Sequence, residues 1–316
     1  MSEPEKSAPP NWERDVLEKL ALSAVQEQRR SRHWSILFKT LGFLYLFIVL
    51  FLAAGWFRTD GVSITAHTAL IDLQGVIAAD QTSADSVISS LQGAFEDKKT
   101  RGVILRINSP GGSPVQAGQI YDEIKRLRAL HPKVPLYAVV DDICASGGYY
   151  VAVGADKIFV DKASLVGSIG VLMDGFGFTE TMQKLGVERR LLTAGENKGF
   201  LDPFSPVDPE QQAFAKQMLE EIHGQFIAVV REGRGTRLKE TPETFSGLVW
   251  SGEKSIQLGL ADAYGSVESV ARDVIKAKDI VDYTQRPGLA ERLASRLGTS
   301  MAKAWTPFEQ AGATLR

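Results

Sequence analysis

The stretch G-V-I-L-R-I-N-S-P-G-G-S-P at 102–114 runs from apolar residues through two adjacent glycines to a proline. This order predicts a buried strand, a tight turn and the start of a helix. Adjacent glycines let the backbone approach a ligand closely, and amides at the start of a helix point outward. The turn at 108–114 could therefore hold an oxyanion, although a plain strand-to-helix connection would use the same residues.

A second motif of this kind follows about 35 residues later. P-L-Y-A-V-V-D-D at 135–142 predicts another buried strand, and C-A-S-G-G-Y-Y-V-A comes after it at 144–152. Ser146 would stand at a strand-to-helix elbow, where Gly147 and Gly148 leave room for a substrate and the Gly147 amide can join the oxyanion donors. A helix-capping serine is the alternative, and one residue can do both. Two such motifs, each after a strand, favour a nucleophile site.

Strands and helices alternate around the two motifs. The apolar patterns predict a strand at 66–78, helices at 83–95 and 115–130, and a further strand over E-R-R-L-L at 188–192. Alternation of this kind predicts an α/β fold with right-handed crossovers and a mostly parallel sheet. Ligands on such sheets bind beyond the carboxyl ends of the strands, where both motifs lie.

An uncharged apolar run precedes this region, T-L-G-F-L-Y-L-F-I-V-L-F-L-A-A-G-W-F at 40–57. Taken from Ile36 to Phe57, a helix would be about 33 Å long, which is enough to cross a bilayer core. A cleaved signal peptide is the alternative, but 35 residues would precede the run, and the run is longer than such peptides carry. We therefore expect a single transmembrane anchor at 36–57.

The charges that flank this run are unequal. Four basic residues lie just before or within its start, with no acid among them: Arg29, Arg30, Arg32 and Lys39. Beyond Arg58 no lysine or arginine occurs until Lys98. The positive-inside rule then places residues 1–35 in the cytoplasm and everything after residue 58 outside a cytoplasmic (inner) membrane. We expect residues 1–35 to be a polar, flexible tail with a nascent helix near 12–28.

Composition excludes several classes of protein. The chain has 316 residues with 36 Lys+Arg against 38 Asp+Glu, so it offers no basic field for nucleic acid. Its single cysteine and four scattered histidines form neither a disulfide nor a compact zinc pattern. It has no Walker or dinucleotide fingerprint. We expect no metal and no cofactor.

A serine nucleophile needs a base, and the residues alone do not single one out. None of the histidines is well placed, since His131 precedes a proline in a loop and His223 lies within a predicted helix. Lysine is the other known partner of a nucleophilic serine. Lys198 lies in a loop rich in Gly, Pro and Phe at 194–204, but composition alone would also fit an ordinary solvated lysine there.

Five motifs, in this order, resemble the signal peptide peptidase A (SppA) serine peptidases. They are N-S-P-G-G at 108–112, A-S-G-G-Y-Y-V-A at 145–152, G-S-I-G-V at 167–171, G-E-N-K at 195–198, and W-S-G-E-K-S-I-Q-L-G-L-A-D at 250–262. That family shares the fold of the Clp protease subunit and the crotonases. The resemblance therefore implies a Clp protease/crotonase-like α/β fold with repeated β-β-α units, preceded here by the single transmembrane helix.

The resemblance also implies the roles of individual residues. Ser146 would be the nucleophile, Lys198 the general base, and Ser168 the residue that hydrogen-bonds the lysine amine. Three glycines would supply oxyanion amides: Gly111, Gly112 and Gly147. Cys144 departs from the pattern and is expected to be a buried packing thiol.

The same resemblance suggests a membrane-anchored serine endopeptidase of the half-size form, working as a homo-oligomer on apolar peptides such as cleaved signal peptides. Seven apolar residues around Ser168 agree with an apolar cleft, although some must belong to the sheet core: Leu165, Val166, Ile169, Val171, Leu172, Phe176 and Phe178. The peptidase domain is expected at 58–278. The tail at 279–316 fits either a helix in oligomer contacts or a frayed end. A crotonase-type acyl-CoA enzyme and a non-catalytic membrane scaffold are the alternatives.

Overall fold

The computed structural model describes residues 12–53 and 65–286. The chain divides into two compact units, Met1–Gly61 with Pro287–Arg316, and Val62–Arg286. The second unit therefore continues past the boundary expected at residue 278. The segments 1–11, 54–64 and 287–316, which include the end of the expected anchor and most of the expected tail, lie outside the described residues.

The described part of the first unit is one long helix, α1 (Trp12–Ala53). Within it, residues Glu27–Phe51 are long and apolar enough to cross a membrane. From Trp12 onward the chain is regular helix, which includes the stretch near 12–28 where a nascent helix was expected. The physical reason is composition: residues 12–41 contain no proline or glycine and are rich in Leu, Glu, Gln, Lys and Arg, which favour helix.

The second unit is built on an eight-stranded sheet. Its strands are β1 (His67–Gln74), β2 (Thr100–Ser109), β3 (Leu136–Ala145), β4 (Lys157–Val160), β5 (Leu165–Gly167), β6 (Val249–Ser251), β7 (Ala263–Tyr264) and β8 (Ile280–Asp282). The main order is β6-β5-β3-β2-β1-β8, with β4 paired to β3 and β7. All pairings are parallel except that of β5 with β6, which confirms the predicted mostly parallel sheet.

Helices follow most of the strands. They are α2 (Ala84–Glu96), α3 (Pro114–Leu130), α4 (Gly147–Ala152), α5 (Thr179–Lys184), α6 (Pro209–Arg234), α7 (Gly252–Gln257) and α8 (Val267–Ser269), with a 3-10 turn at Gly235–Arg237 and a π-helix at Val270–Ile275. The predicted strands β1, β2 and β3 and the helices α2 and α3 are confirmed. The hydroxyls of Ser83 and Ser113 cap α2 and α3, which explains why both helices begin where they do.

The predicted strand at 188–192 is wrong. Those residues are irregular and exposed. E-R-R-L-L does not alternate polar and apolar side chains, so neither face of such a strand could be buried uniformly. Leu191 and Leu192 both point to solvent instead.

Two apolar layers cover the sheet. The large one packs residues of α2, α3, α4 and α6 against alternate residues of the central strands, such as Ile71 and Leu105. The small one joins Ile104 and Phe159 to Val270. Burial on both faces fixes the register of the central strands, and so it fixes where their carboxyl ends and the loops that follow them lie.

Candidate active site

Ser146 lies at a sharp elbow between β3 and α4. Its backbone has φ 50° and ψ −122°, a region that residues other than glycine seldom occupy and that carries strain. Its side chain is half-buried. The hydroxyl makes no capping hydrogen bond to α4, so the structure gives no support to the alternative of a capping serine.

The Gly111-Gly112 turn packs directly against this elbow. Both glycines have positive φ, 103° and 147°. A Cβ atom on Gly111 would lie 2.7 Å from both Gly147 N and Ser146 Cβ, and one on Gly112 would lie 2.3 Å from Ile77 O. Only glycine fits such close backbone contacts.

Two of the three predicted oxyanion amides are available. Gly111 N–H donates to Ser109 Oγ at 3.1 Å, so it is already engaged. The amides of Gly112 and Gly147 have no acceptor among residues 65–286. They are also close together, since a Cβ on Gly147 would lie 3.3 Å from Gly112 N. A pair of free amides beside a serine is the arrangement that can stabilise a developing oxyanion.

Ser168 lies at the end of the neighbouring strand. Ala145 pairs with Gly167 in the parallel β3–β5 ladder, and Ser146 N–H donates to Gly167 O at 2.8 Å. Ser168 has φ 51°, almost the value at Ser146, and its N–H donates to Leu248 O at 2.8 Å. The structure therefore brings the two serines to adjacent strand ends.

Lys198 is placed differently. It lies in a tight turn in which its own N–H donates to Gly195 O at 3.1 Å, and its side chain is exposed. No described residue forms a hydrogen bond or ion pair with its ammonium group. The structure of the single chain thus joins Ser146, Ser168 and the glycines, but it does not bond Lys198 to them.

The segment 172–207, which carries Lys198, forms several contacts between its own residues. Phe178 N–H donates to Pro203 O at 2.8 Å, the rings of Phe178 and Phe204 stack at 5.4 Å, and Arg189 pairs with Asp202 at 3.3 Å. Six large apolar side chains at 172–207 are more than half exposed, and we call them the apolar band: Leu172, Phe176, Leu185, Val187, Leu192 and Val207. Of the apolar residues predicted to crowd around Ser168, only Val166 and Ile169 are core.

Some residues near the site were not expected from the sequence. His223 on α6 lies with Nε2 3.1 Å from Ile169 O, one residue beyond Ser168. Ser109 is fully buried beneath the glycine turn. The contact of His223 with Ile169 joins residues that are distant in the chain, and the position of Ser109 depends on how the turn folds. No local sequence pattern predicts either of them.

Cys144 is fully buried on β3, two residues before Ser146. Burial raises the pKa of its thiol well above the ordinary value, because a thiolate would lose its hydration. A protonated, inaccessible thiol is a poor nucleophile. The expectation of a packing thiol is confirmed.

Residues 12–53 and 65–286 contain no group of three or more His, Cys, Asp or Glu side chains that could hold a metal ion. The groups that the structure places around Ser146 are hydroxyls and backbone amides, and a lysine amine lies on the segment of the apolar band.

Comparison with known proteins supports the fold and identifies the family. The family model for peptidase family S49 matches residues 128–281, and the model for Clp protease matches residues 59–164. The second match covers β1, β2 and β3 and the helices between them. The predicted Clp protease-like fold is confirmed.

Individual relatives match over about two thirds of the chain. Two Brucella proteins, of Brucella melitensis and Brucella abortus, both named Na(+)/H(+) antiporter NhaA, are 43% and 42% identical over 219 residues. Those residues are 66% of this chain but 30% of each Brucella protein. The chloroplastic serine protease SPPA of Arabidopsis thaliana is 29% identical over 219 residues, 69% of this chain and 32% of that protein.

One further relative matches along most of its own length. A Methanocaldococcus jannaschii protein whose name describes a protease is 30% identical over 214 residues, which are 66% of this chain and 68% of that protein. Together with the S49 model over 128–281, this match shows that the chain belongs to peptidase family S49.

Proposed function

We propose that this chain is a membrane-anchored serine endopeptidase that cuts apolar peptides, with Ser146 as the nucleophile and Lys198 as the general base. The observation that carries the proposal is the pair of unpartnered amides, Gly112 and Gly147, beside a serine at a strained elbow. Such a pair stabilises the negative charge that develops on a carbonyl oxygen, and with a serine beside it the arrangement suits acyl transfer.

The proposed reaction is acyl transfer by a serine–lysine pair. Neutral Lys198 takes the proton of Ser146 as Oγ attacks the peptide carbonyl, and the carbonyl oxygen becomes an oxyanion held by the Gly112 and Gly147 amides. The C–N bond then breaks as the protonated lysine donates its proton to the leaving amine. Water, activated by the same lysine, hydrolyses the ester on Ser146 and restores the enzyme.

A lysine base must be neutral, so it must be shielded from water. The exposed position of Lys198 in the single chain argues that something else covers it. The apolar band on the same segment is a surface that a second copy of the chain could bury. We therefore propose a homo-oligomer in which burial of the apolar band also shields the lysine.

The anchor supports the class of substrate. Helix α1 holds a span that could cross a bilayer at Glu27–Phe51, and the basic residues before it favour an orientation with the catalytic unit outside the cytoplasmic membrane. Apolar peptides such as cleaved signal peptides are left in that membrane. The absence of charged side chains at 165–173, next to Ser168, also favours an apolar substrate.

The test uses the full chain in detergent and an apolar signal-sequence peptide, with cleavage rates measured from pH 6 to 9. Wild type should cleave with a rate that rises with pH, and both Ser146→Ala and Lys198→Ala should lose activity by at least about 1000-fold. His223→Gln is the comparison variant, because His223 Nε2 lies 3.1 Å from Ile169 O, one residue beyond Ser168.

Other results would assign a different base, a different nucleophile or a different function. Activity in Lys198→Ala together with loss in His223→Gln would make the base a histidine. Normal cleavage by Ser146→Ala would overturn the nucleophile. No cleavage by folded wild-type protein would favour the non-catalytic scaffold, and tight binding of an acyl-CoA would favour a crotonase-type enzyme.

A further inference from the structure

Ser109, the last residue of β2, lies beneath the proposed oxyanion hole. It is fully buried. Its Oγ donates to Gly75 O at 2.6 Å and accepts from Gly111 N–H at 3.1 Å. One hydroxyl therefore links the residue that follows β1 to the glycine turn that follows β2.

The surroundings of Ser109 tie this link to the elbow of Ser146. Gly75 N–H donates to Asn108 O at 2.9 Å, which closes the connection between the ends of β1 and β2. On the other side, a Cβ atom on Gly148 would lie 3.1 Å from Ser109 O and 3.3 Å from Ser109 Cβ. Ser109 is thus packed between the end of β1, the glycine turn and the first turn of α4.

We infer that Ser109 is a positioning residue for the oxyanion hole: by holding the Gly111 amide, it orients the next peptide so that the Gly112 amide stays free and directed toward the carbonyl attacked by Ser146. The inference rests on the proposed peptidase function. It gives a role to a residue that touches neither substrate nor nucleophile.

The backbone of the turn explains why such an anchor is needed. Gly111 and Gly112 have positive φ values of 103° and 147°, and glycine has the widest range of backbone conformations. A turn of two glycines needs fixed partners to hold its amides: Ile77 N–H donates to Gly111 O at 2.8 Å on one side, and Ser109 Oγ holds the Gly111 N–H on the other. Removing the hydroxyl would leave the buried Gly111 N–H without a partner, which favours a shift of the turn.

The test is steady-state hydrolysis of the same apolar peptide by full-length Ser109→Ala in detergent, with inhibition by a peptide aldehyde of matching sequence. The aldehyde forms a tetrahedral adduct with Ser146 whose oxygen occupies the oxyanion site. Loss of one oxyanion donor typically costs about 100- to 1000-fold in kcat, so a misdirected donor should cost about 10- to 100-fold. KM should change less than about twofold, and the aldehyde Ki should rise by the same factor as kcat falls.

Ser90→Ala is the matched control. Ser90 is also buried, and its hydroxyl likewise donates to a backbone carbonyl, Ser86 O at 2.7 Å, and accepts from a backbone amide, Gln285 N at 2.9 Å. It should lose a similar amount of thermal stability while kcat and the aldehyde Ki stay within about twofold of wild type. A purely structural role for Ser109 would make the two variants behave alike.

The outcomes separate the two claims. If Ser146→Ala is inactive while Ser109→Ala keeps the kcat and Ki of Ser90→Ala, the inference about Ser109 is overturned and the proposed function stands. If Ser146→Ala cleaves like wild type, both fall together. Should Ser109→Ala fail to fold, Ser109→Cys keeps a similar volume with weaker hydrogen bonds, and the same losses in kcat and Ki are expected.

Discussion

Gly111 is a residue at which one added methyl group should damage the site. Its φ of 103° is strained for any other residue, and the new Cβ would lie 2.7 Å from Gly147 N. Either the glycine turn or the elbow of Ser146 must then move by several tenths of an ångström. Gly111→Ala should lower kcat/KM for the apolar peptide by at least about 100-fold, as expected when reacting groups are misplaced.

Gly118→Ala is the control for this change. Gly118 lies on α3, and its added Cβ would meet nothing within 4 Å. Because alanine favours helix over glycine by about 1 kcal/mol, this variant should be fully active and slightly more stable in thermal unfolding. Full activity in Gly111→Ala would mean that the turn takes no part in catalysis.

At the scale of elements, a buried ion pair joins α6 to the loop before β7. Arg234 is only 1% exposed and makes two hydrogen bonds to Asp262, both at 2.9 Å. Burial alone would raise the pKa of Asp262, but the hydrogen bonds and charge of Arg234 outweigh it, and the pKa lies below its ordinary 3.8. The interaction therefore contributes stability above about pH 4, and that stability is lost as pH falls through the lowered pKa.

Asp262→Asn tests this linkage, because the variant cannot titrate and leaves the Arg234 charge buried without a counter-ion. At pH 7 its free energy of unfolding in urea should be about 3 to 5 kcal/mol lower than that of wild type. This difference in free energy should become smaller as the pH is lowered from 5 to 3. Glu240→Gln is the control: it removes an exposed partner of Arg231 and should change the free energy of unfolding little. A difference in unfolding free energy between Asp262→Asn and wild type that stays constant down to pH 3 would contradict the link between the Asp262 pKa and stability.

The secondary-structure elements could be predicted from the sequence better than the contacts of the site residues. The strands and helices around residues 66–145 could be predicted because their apolar periodicity is strong and the glycine pairs mark the turns between them. The register of β3 and β5, which sets Ser168 beside Ser146, could not, since β5 has only three residues. The contact of Ser109 with Gly75 and that of His223 with Ile169 arise from non-local pairing, which carries no local signature.

At the scale of the whole molecule, the apolar band is the feature that a single chain leaves unexplained. Leu192 is 96% exposed and Leu172 is 79% exposed, on the same segment as Lys198. Exposed apolar patches of this kind mark interaction surfaces. We expect the full chain in detergent to be a homo-oligomer whose interface includes the apolar band.

Leu192→Asp should break that oligomer, because a carboxylate buried at an apolar interface has no counter-charge. Its mass by light scattering after gel filtration should fall toward that of one chain, and peptide cleavage should fall with it, since Lys198 would be returned to water. Leu130→Asp, on α3, changes a leucine that is 61% exposed but lies outside the apolar band, so it should keep both mass and activity. If Leu192→Asp became monomeric and cleaved at the wild-type rate, Lys198 would need no neighbouring copy to become a base, and the lysine would have to reach Ser146 within one chain.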